Sequence, residues 1–344
     1  MKTKKSQKDK MREFTGVRSK ANLNLALKEV EKIYGKGALM RMGDKNGVIK
    51  CQTISTGTIG LDLITGIGGI PKGRIIEIYG PPASGKTTLA LHIVSECQKK
   101  KGTVAFIDAE HAIDLEYSKN LGVNVDDLLV SQPGTGEEGL EIADMLVKSA
   151  SVDLIVIDSV AALTPRAEIE GSMGQSHVGL MPRMMSQALR KLTGMVARTG
   201  TCFIFINQIR MKVGMGPFMG NPEVTPGGHA LKFHASMRID VRRIGKIEKD
   251  QKNIGARTRI KIVKNKMASP YKSVELDLIY GEGFSWYANL IETGIEKGVI
   301  IQSGSWYSFE GGKLGQGKSQ AVDVIKKDTD LTDKIIKKCY DVES

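Results

Sequence analysis

Aromatic residues are scarce. Phe, Trp and Tyr together make up 5% of the 344 residues, with only two tryptophans. That leaves little surface for stacking bases and argues against a single-strand binder built mainly from aromatic platforms. Long apolar runs are missing too: nothing approaches the roughly 18 consecutive apolar residues of a membrane span. The opening MKTKKSQKDKMREF is basic and has no apolar stretch of the secretory type. A cytoplasmic location without a membrane partner is expected. The four cysteines (Cys51, Cys97, Cys202 and Cys339) show neither C-x-x-C nor metal-site spacing. Cys97 and Cys202 sit inside apolar runs and read as buried free thiols.

Basic residues, by contrast, are in surplus. Fifty Lys and Arg oppose 38 Asp and Glu, a formal net charge of +12. About half of the surplus lies in residues 1–20, where eight basic side chains face only Asp9 and Glu13. Such an excess favours a polyanionic partner, while residues 1–20 by themselves read as a solvated, disordered extension. If the polyanion is a nucleic acid, basic side chains and backbone amides must supply most of the contact.

The chain is long enough for one sizeable core plus a smaller unit, at roughly 100–200 residues per domain. Residues 21–34, ANLNLALKEVEKIY, carry apolar positions at helical spacing and stop at Gly35 and Gly37. The middle then alternates strand and helix. RIIEIYG, TVAFIDAE, DLIVIDS and TCFIFINQI are continuous apolar runs separated by helical patterns near 86–100, 136–149 and 180–198. Runs of this kind indicate a mostly parallel sheet covered on both faces. MRIDVRRIG, RTRIKIVKNK and VELDLIYG follow with no helix between them, which suggests antiparallel additions to the same sheet. From about residue 286 the short elements and glycine turns suggest a small appended α/β domain. The expected divisions are therefore 1–20, 21–50, 51–285 and 286–344.

GPPASGKTT follows RIIEIY and opens a helix. Gly80-x-x-x-x-Gly85-Lys86-Thr87 is the P-loop pattern in its required setting. Its glycines allow a tight wrap, and amides from Ala83, Ser84, Gly85, Lys86 and Thr87 can point at phosphate oxygens with the helix dipole behind them. Pro81 and Pro82 have no N–H to offer and stiffen the entry. Lys86 would bridge terminal phosphates, and Thr87 would ligate Mg²⁺ together with Asp158 at the end of LIVID. FIDAEH offers two carboxylates at one strand end. Glu110 is the choice for positioning the attacking water, with Asp108 a close rival. Asn207 and Gln208 end FIFINQ, where an amide can sense a γ-phosphate or simply satisfy the strand end.

GPPASGKTT, FIDAEHA, VIDSVAALTP, AEIEG, MMSQALRKL, FINQIRMK, NPEVTPGGHALKF and VKNK, in this order over about residues 22–325, closely resemble the bacterial RecA recombinase family. The resemblance implies a P-loop NTPase with a RecA-type core, an N-terminal helical arm that docks on the next protomer, and a small C-terminal domain. It implies ATP and Mg²⁺ as cofactors, a helical filament on single-stranded DNA, pairing with homologous duplex DNA, and self-cleavage of an SOS repressor. Glu110 matches the water-activating glutamate, and Gln208 the residue that couples the γ-phosphate to a DNA loop. Thr88, Asp114, Tyr117 and Gly281 match nucleotide-side positions. Lys264, Lys266 and Phe233 match residues that reach the neighbouring subunit. DNA would face loops 168–179 and 209–230, with Arg183, Arg190, Arg210, Lys212, Gly227 and Gly228 as contacts.

The chain also departs from the family pattern. The second loop is about two residues longer than usual, Val178 replaces a common methionine, and PPAS stands for PESS. The sequence stops at KKCYDVES without a long acidic tail, so less restrained loading onto duplex DNA is expected. The alternative reading is a hexameric RecA-fold helicase or motor, which the NPEVTPGGHALKF loop and the N-terminal helix disfavour. A scaffold that uses ATP only as a conformational ligand is a third.

Overall fold

The apolar runs become strands of one nine-stranded sheet. These are β1 (Ile75–Gly80), β2 (Val104–Asp108), β3 (Leu128–Ser131), β4 (Leu154–Asp158), β5 (Cys202–Gln208), β6 (Met237–Lys249), β7 (Lys252–Asn265), β8 (Ser273–Ile279) and β9 (Gly283–Phe284). Their spatial order is β9-β8-β7-β6-β1-β5-β4-β2-β3. Six neighbours from β6 to β3 run parallel, and β7, β8 and β9 add antiparallel. MRIDVRRIG therefore departs from the antiparallel expectation: β6 joins β1 in parallel through Met237–Asp240. The reason lies in the connection from β5, which carries the short helix Ala230–His234 and so makes a crossover. Both outer strands are short, four residues in β3 and two in β9.

This computed structural model describes residues 20–35, 38–39, 51–175, 177–211, 222–249 and 251–341. They belong to two units, 1–50 and 51–344. In the first, the helix Lys20–Tyr34 matches the sequence expectation and leaves Leu23, Leu25 and Ile33 exposed. The basic extension 1–19 and the C-terminal residues 342–344 lie outside the described residues.

In the second unit, alternation along the strands builds two apolar layers. Ile76, Ile78, Phe106, Leu154, Val156, Ile204 and Ile206 pack on the helix Lys86–Lys99 through Leu89, Ile93 and Val94. The intervening Ile75, Ala105, Ile107, Ile155, Ile157, Phe203 and Phe205 face the helices Gly136–Ser149 and Leu180–Thr199. Burial on both faces explains why these strands read as unbroken apolar runs. The carboxyl ends of β1, β5, β4 and β2 then finish side by side. Gly80 is level with Gln208, and Asp108 with Asp158.

Beyond β9 come the helix Trp286–Glu296, a three-stranded antiparallel sheet (Ile300–Ser303, Trp306–Phe309, Gly312–Gln316) and the helices Lys318–Lys327 and Thr329–Asp341. Leu290, Ile291, Tyr307, Phe309, Ile325 and Ile335 form their core together with Ile59 and Leu63 of the helix Ile59–Ile64. An ionic network strengthens the junction. Arg257 Nη1 donates to Asp277 Oδ1 (2.7 Å) and Glu292 Oε1 (2.6 Å), and Lys318 Nζ donates to Asp277 Oδ2 and Glu292 Oε1, both at 2.6 Å. Cys97, Cys202 and Cys339 are buried free thiols, and Cys51 is half-buried. Among the described residues, no helix is long and apolar enough to cross a membrane.

Candidate nucleotide-binding site

The turn from β1 into the helix Lys86–Lys99 depends on Gly85, which occupies the N-cap at φ +93°. A Cβ there would meet Leu278 Cδ1 at 2.6 Å, so strain and space both demand glycine. With no side chain to cap it, the helix start leaves its first N–H groups for an anion. Among the described residues the buried Ser84 hydroxyl has no hydrogen-bond partner, which leaves it free to donate to a phosphate oxygen. Lys86 Nζ donates to the Pro81 carbonyl at 2.8 Å, across Pro81, Pro82 and Ala83. Burial depresses its pKa, while Asp158 and Glu110 pull it back up.

Thr87 Oγ1 donates to Asp158 Oδ2 at 2.6 Å, so the hydroxyl and the β4 carboxylate share one spot. Burial pushes the Asp158 carboxyl up to about 6, against the opposing pull of the Thr87 hydrogen bond. The amides of Ala109 and Glu110 both donate to the Asp158 carbonyl, at 2.7 and 3.2 Å, which brings the end of β2 over β4. There the two rival carboxylates separate. Asp108 is buried and accepts from the amides of Ala112 and Ile113 and from Gln132 Nε2, at 3.2, 3.1 and 3.0 Å. Glu110 is exposed, and its Oε1 accepts from Ser159 Oγ and, at 2.9 Å, from Gln208 Nε2. Local folding thus occupies one carboxylate and leaves the other facing the P-loop side.

On the far side of the P-loop helix, Thr88 Oγ1 and the Tyr117 hydroxyl are 2.9 Å apart. Asp114 caps the helix Leu115–Asn120 by accepting from the Tyr117 amide at 3.0 Å, a structural role in its own right. Gly281 lies exposed at φ +83° with no atom within 4 Å of a Cβ placed on it. Phe233 is 73% exposed. Lys264 Nζ donates to the carbonyls of Lys232 and Phe233 at 2.6 and 3.1 Å. Burial, followed by the charges of Lys266 and Arg238, lowers the Lys264 pKa. Lys266 is exposed.

Arg183 and Arg190 are both exposed, seven residues apart on the helix Leu180–Thr199. Arg210 is exposed in a short pairing of Arg210–Met211 with Glu223–Val224 at the base of the second loop. Gly227 is buried and Gly228 half-buried. Lys212 lies outside the described residues, as do 213–221.

Sequence reasoning passed over two contributors. Ser159 carries the hydroxyl that meets Glu110, and its only signal is its place directly after the strand-end aspartate. Glu77 is fully buried in β1 and pairs with Arg238 (Nε to Oε2, 2.5 Å). A lone acidic residue inside RIIEIYG could have been flagged, since a buried carboxylate demands a partner.

The residues fit Mg²⁺ with a nucleotide. No group of three or more His, Cys, Asp or Glu side chains suited to a metal occurs among the described residues. Mg²⁺ needs only one or two protein ligands when phosphates and waters complete its shell, and the adjoining Thr87 hydroxyl and Asp158 carboxylate are oxygens of the type it takes.

A P-loop at the carboxyl end of a parallel strand, with a neighbouring strand-end aspartate, defines a P-loop nucleoside triphosphatase on a RecA-type core. In fold the chain is similar to the RadB recombinase, with a TM-score of 0.52 and 21% identity, over 67% of this chain and 98% of that one. The RecA N-terminal domain model matches residues 21–285, and the RecA C-terminal domain model matches 288–341. The chain is 57% identical to Protein RecA of Thioalkalivibrio sulfidiphilus over 316 residues, covering 92% of each. It is 55% identical to Protein RecA of Geobacter sulfurreducens over 329 residues, covering 96% of each. The chain belongs to the RecA family, whose members are ATP-using proteins of DNA recombination and repair.

Proposed function

We propose that this chain is an ATP-dependent DNA recombinase. It polymerises on single-stranded DNA, pairs that strand with a homologous duplex, exchanges strands, and promotes self-cleavage of an SOS repressor. Amides from Ala83 to Thr88 and the Lys86 ammonium bind the phosphates of ATP, and Tyr117, Asp114 and Gly281 border the base. Thr87 and Asp158 hold Mg²⁺, which when bound neutralises phosphate charge.

Glu110 accepts a hydrogen bond from the attacking water and orients it, so that the proton is taken up as the γ-phosphoryl leaves. Ser159, as a donor to the same carboxylate, fixes its rotamer. Gln208 turns from Glu110 towards the γ-phosphate when ATP is bound, and the second loop, which begins one residue later, moves with it. Lys264, Lys266 and Phe233 complete the site on the next protomer, and the helix Lys20–Tyr34 docks there too. Arg183, Arg190, Arg210, Lys212, Gly227 and Gly228 hold the DNA backbone.

The observation that carries this reading is the shared Glu110 oxygen. One residue that leads directly into a DNA loop, Gln208, is hydrogen-bonded at 2.9 Å to the candidate hydrolytic carboxylate. The test is ATP hydrolysis with and without single-stranded DNA, followed by electron microscopy of the same sample. Stimulated turnover with helical filaments is expected. Unstimulated turnover with closed rings would favour a hexameric motor instead.

A further inference from the structure

Asn207 sits one residue before Gln208 and is wholly buried at the end of β5. Its amide is fully committed. Nδ2 donates to Glu77 Oε1 in β1 at 3.0 Å and to the Pro226 carbonyl at 3.2 Å, and Oδ1 accepts from the Gln208 backbone amide at 3.0 Å. The amide orientation is fixed by this surround, because the nitrogen faces two acceptors and the oxygen faces a donor. Glu77 in turn accepts from Arg238 Nε of β6 at 2.5 Å, and the Arg238 guanidinium lies 4.5 Å over the Tyr79 ring. One interior side chain therefore joins the P-loop strand, the residue before the second loop and the returning stem of that loop.

The stem has little freedom of its own. Gly227 stands at φ +80°, and a Cβ on it would lie 2.9 Å from Val160 Cγ1, directly after the Asp158–Ser159 pair. On the outer side Glu223 accepts from Arg242 Nη1 and Nη2 at 2.8 and 2.5 Å. The stem is thus close-packed on Val160 at Gly227 and tied to Arg242 at Glu223, and its side-chain link to the Gln208 end of β5 is the Asn207 amide.

We infer that Asn207 is a positioning residue that makes the second-loop stem at Pro226–Gly228 follow the nucleotide state sensed at Gln208. A strand-end amide needs only local partners. This one reaches two segments besides its own strand, at Glu77 and Pro226, and none of its bonds can be lost without leaving a buried polar group unpaired. Displacing Gln208 drags its amide, hence Asn207, hence Pro226, while Glu77 anchors the lever to the sheet below the P-loop. The inference rests on the reading of Gln208 given under Proposed function.

The test is the affinity of the full-length protein for a labelled oligothymidylate at fixed salt, with a non-hydrolysable ATP analogue and with ADP. Asn207→Asp keeps the shape but turns an oxygen towards Glu77 and the Pro226 carbonyl. The ratio of the two affinities is expected to fall about tenfold, within the usual span of site-to-site coupling. Adding Glu77→Gln lets amide and carboxylate exchange places and should restore part of the ratio. A purely structural defect would weaken both affinities together and leave the ratio unchanged. If Asn207→Asp yields no folded protein, Asn207→Ser, too short to bridge and uncharged, is measured in its place. A normal ratio in either variant overturns the inference alone. No dependence on nucleotide in the unaltered protein overturns it together with its parent reading.

Discussion

Gln208 Nε2 and Glu110 Oε1 are 2.9 Å apart, although they end strands that are not neighbours. β4 lies between β5 and β2. The two side chains therefore meet above the end of β4, where Asp158 and Ser159 stand.

Glu110→Gln should retain nucleotide binding while hydrolysis slows by about 10²–10⁴-fold, the usual worth of a positioned general base. Phosphate release and titration with a fluorescent nucleotide check the two halves. An unchanged rate would move the water-activating role to another group, with Asp108 already occupied by its three hydrogen bonds.

Lys86→Ala should abolish ATP hydrolysis and filament extension if, as proposed, its ammonium is the cation on the terminal phosphates. The same change removes a partly desolvated ammonium, so the melting temperature of the nucleotide-free protein should hold. Calorimetric titration with ATP beside a thermal melt separates the two effects.

Single-strand binding should weaken steeply with salt, and Arg183→Ala and Arg190→Ala should each reduce the slope of log K against log salt by about 0.7. Fluorescence anisotropy across a salt series reads this directly. Slopes equal to that of the unaltered protein would place both side chains off the DNA.

Asp62 gives a pH signature in stability. It accepts from Ser55 Oγ (2.6 Å) and from the Thr56 amide and hydroxyl (2.8 and 2.7 Å), yet burial still pushes its carboxyl up to about 6 from 3.8. Between those values the folded state holds a proton that the unfolded state has released. Its contribution is therefore fully present below about pH 4, falls as pH rises, and is flat above pH 6, a change of about 3 kcal/mol. Denaturant titrations of the native protein and Asp62→Asn should differ by this pH-dependent amount and converge in slope above pH 7.

Glu292→Gln should loosen the segment beyond Trp286, since Glu292 Oε1 receives both Arg257 and Lys318. A cost of about 1–3 kcal/mol is expected for a partly buried charged hydrogen bond. Faster amide exchange confined to the helices Trp286–Glu296 and Lys318–Lys327 is the readout.

Much of this was legible in the order of residues. β1, β2, β4 and β5 are buried on both faces, so they appear as unbroken apolar runs, and the P-loop announces itself through residues that nothing else requires in that sequence. What was not legible depended on the third dimension. Asp108 and Glu110 are two positions apart and share a strand end, and only the turn at Ala112 and Ile113 shows which one is already occupied. β6 looked like its antiparallel successors, because a five-residue helix such as Ala230–His234 is too short to leave a helical period. The anchoring of Asn207 by Glu77 spans 130 residues of sequence, beyond the reach of any local pattern.

The brevity of the outermost strands bears on how copies of this molecule can meet. A ladder extended from β3 could offer only four residues of backbone, and one from β9 only two. Indiscriminate edge-to-edge stacking at these two ends of the sheet, the usual hazard of a broad sheet, is therefore starved of hydrogen bonds. At these two strands, an ordered contact between copies would have to draw its specificity largely from side chains rather than from backbone pairing.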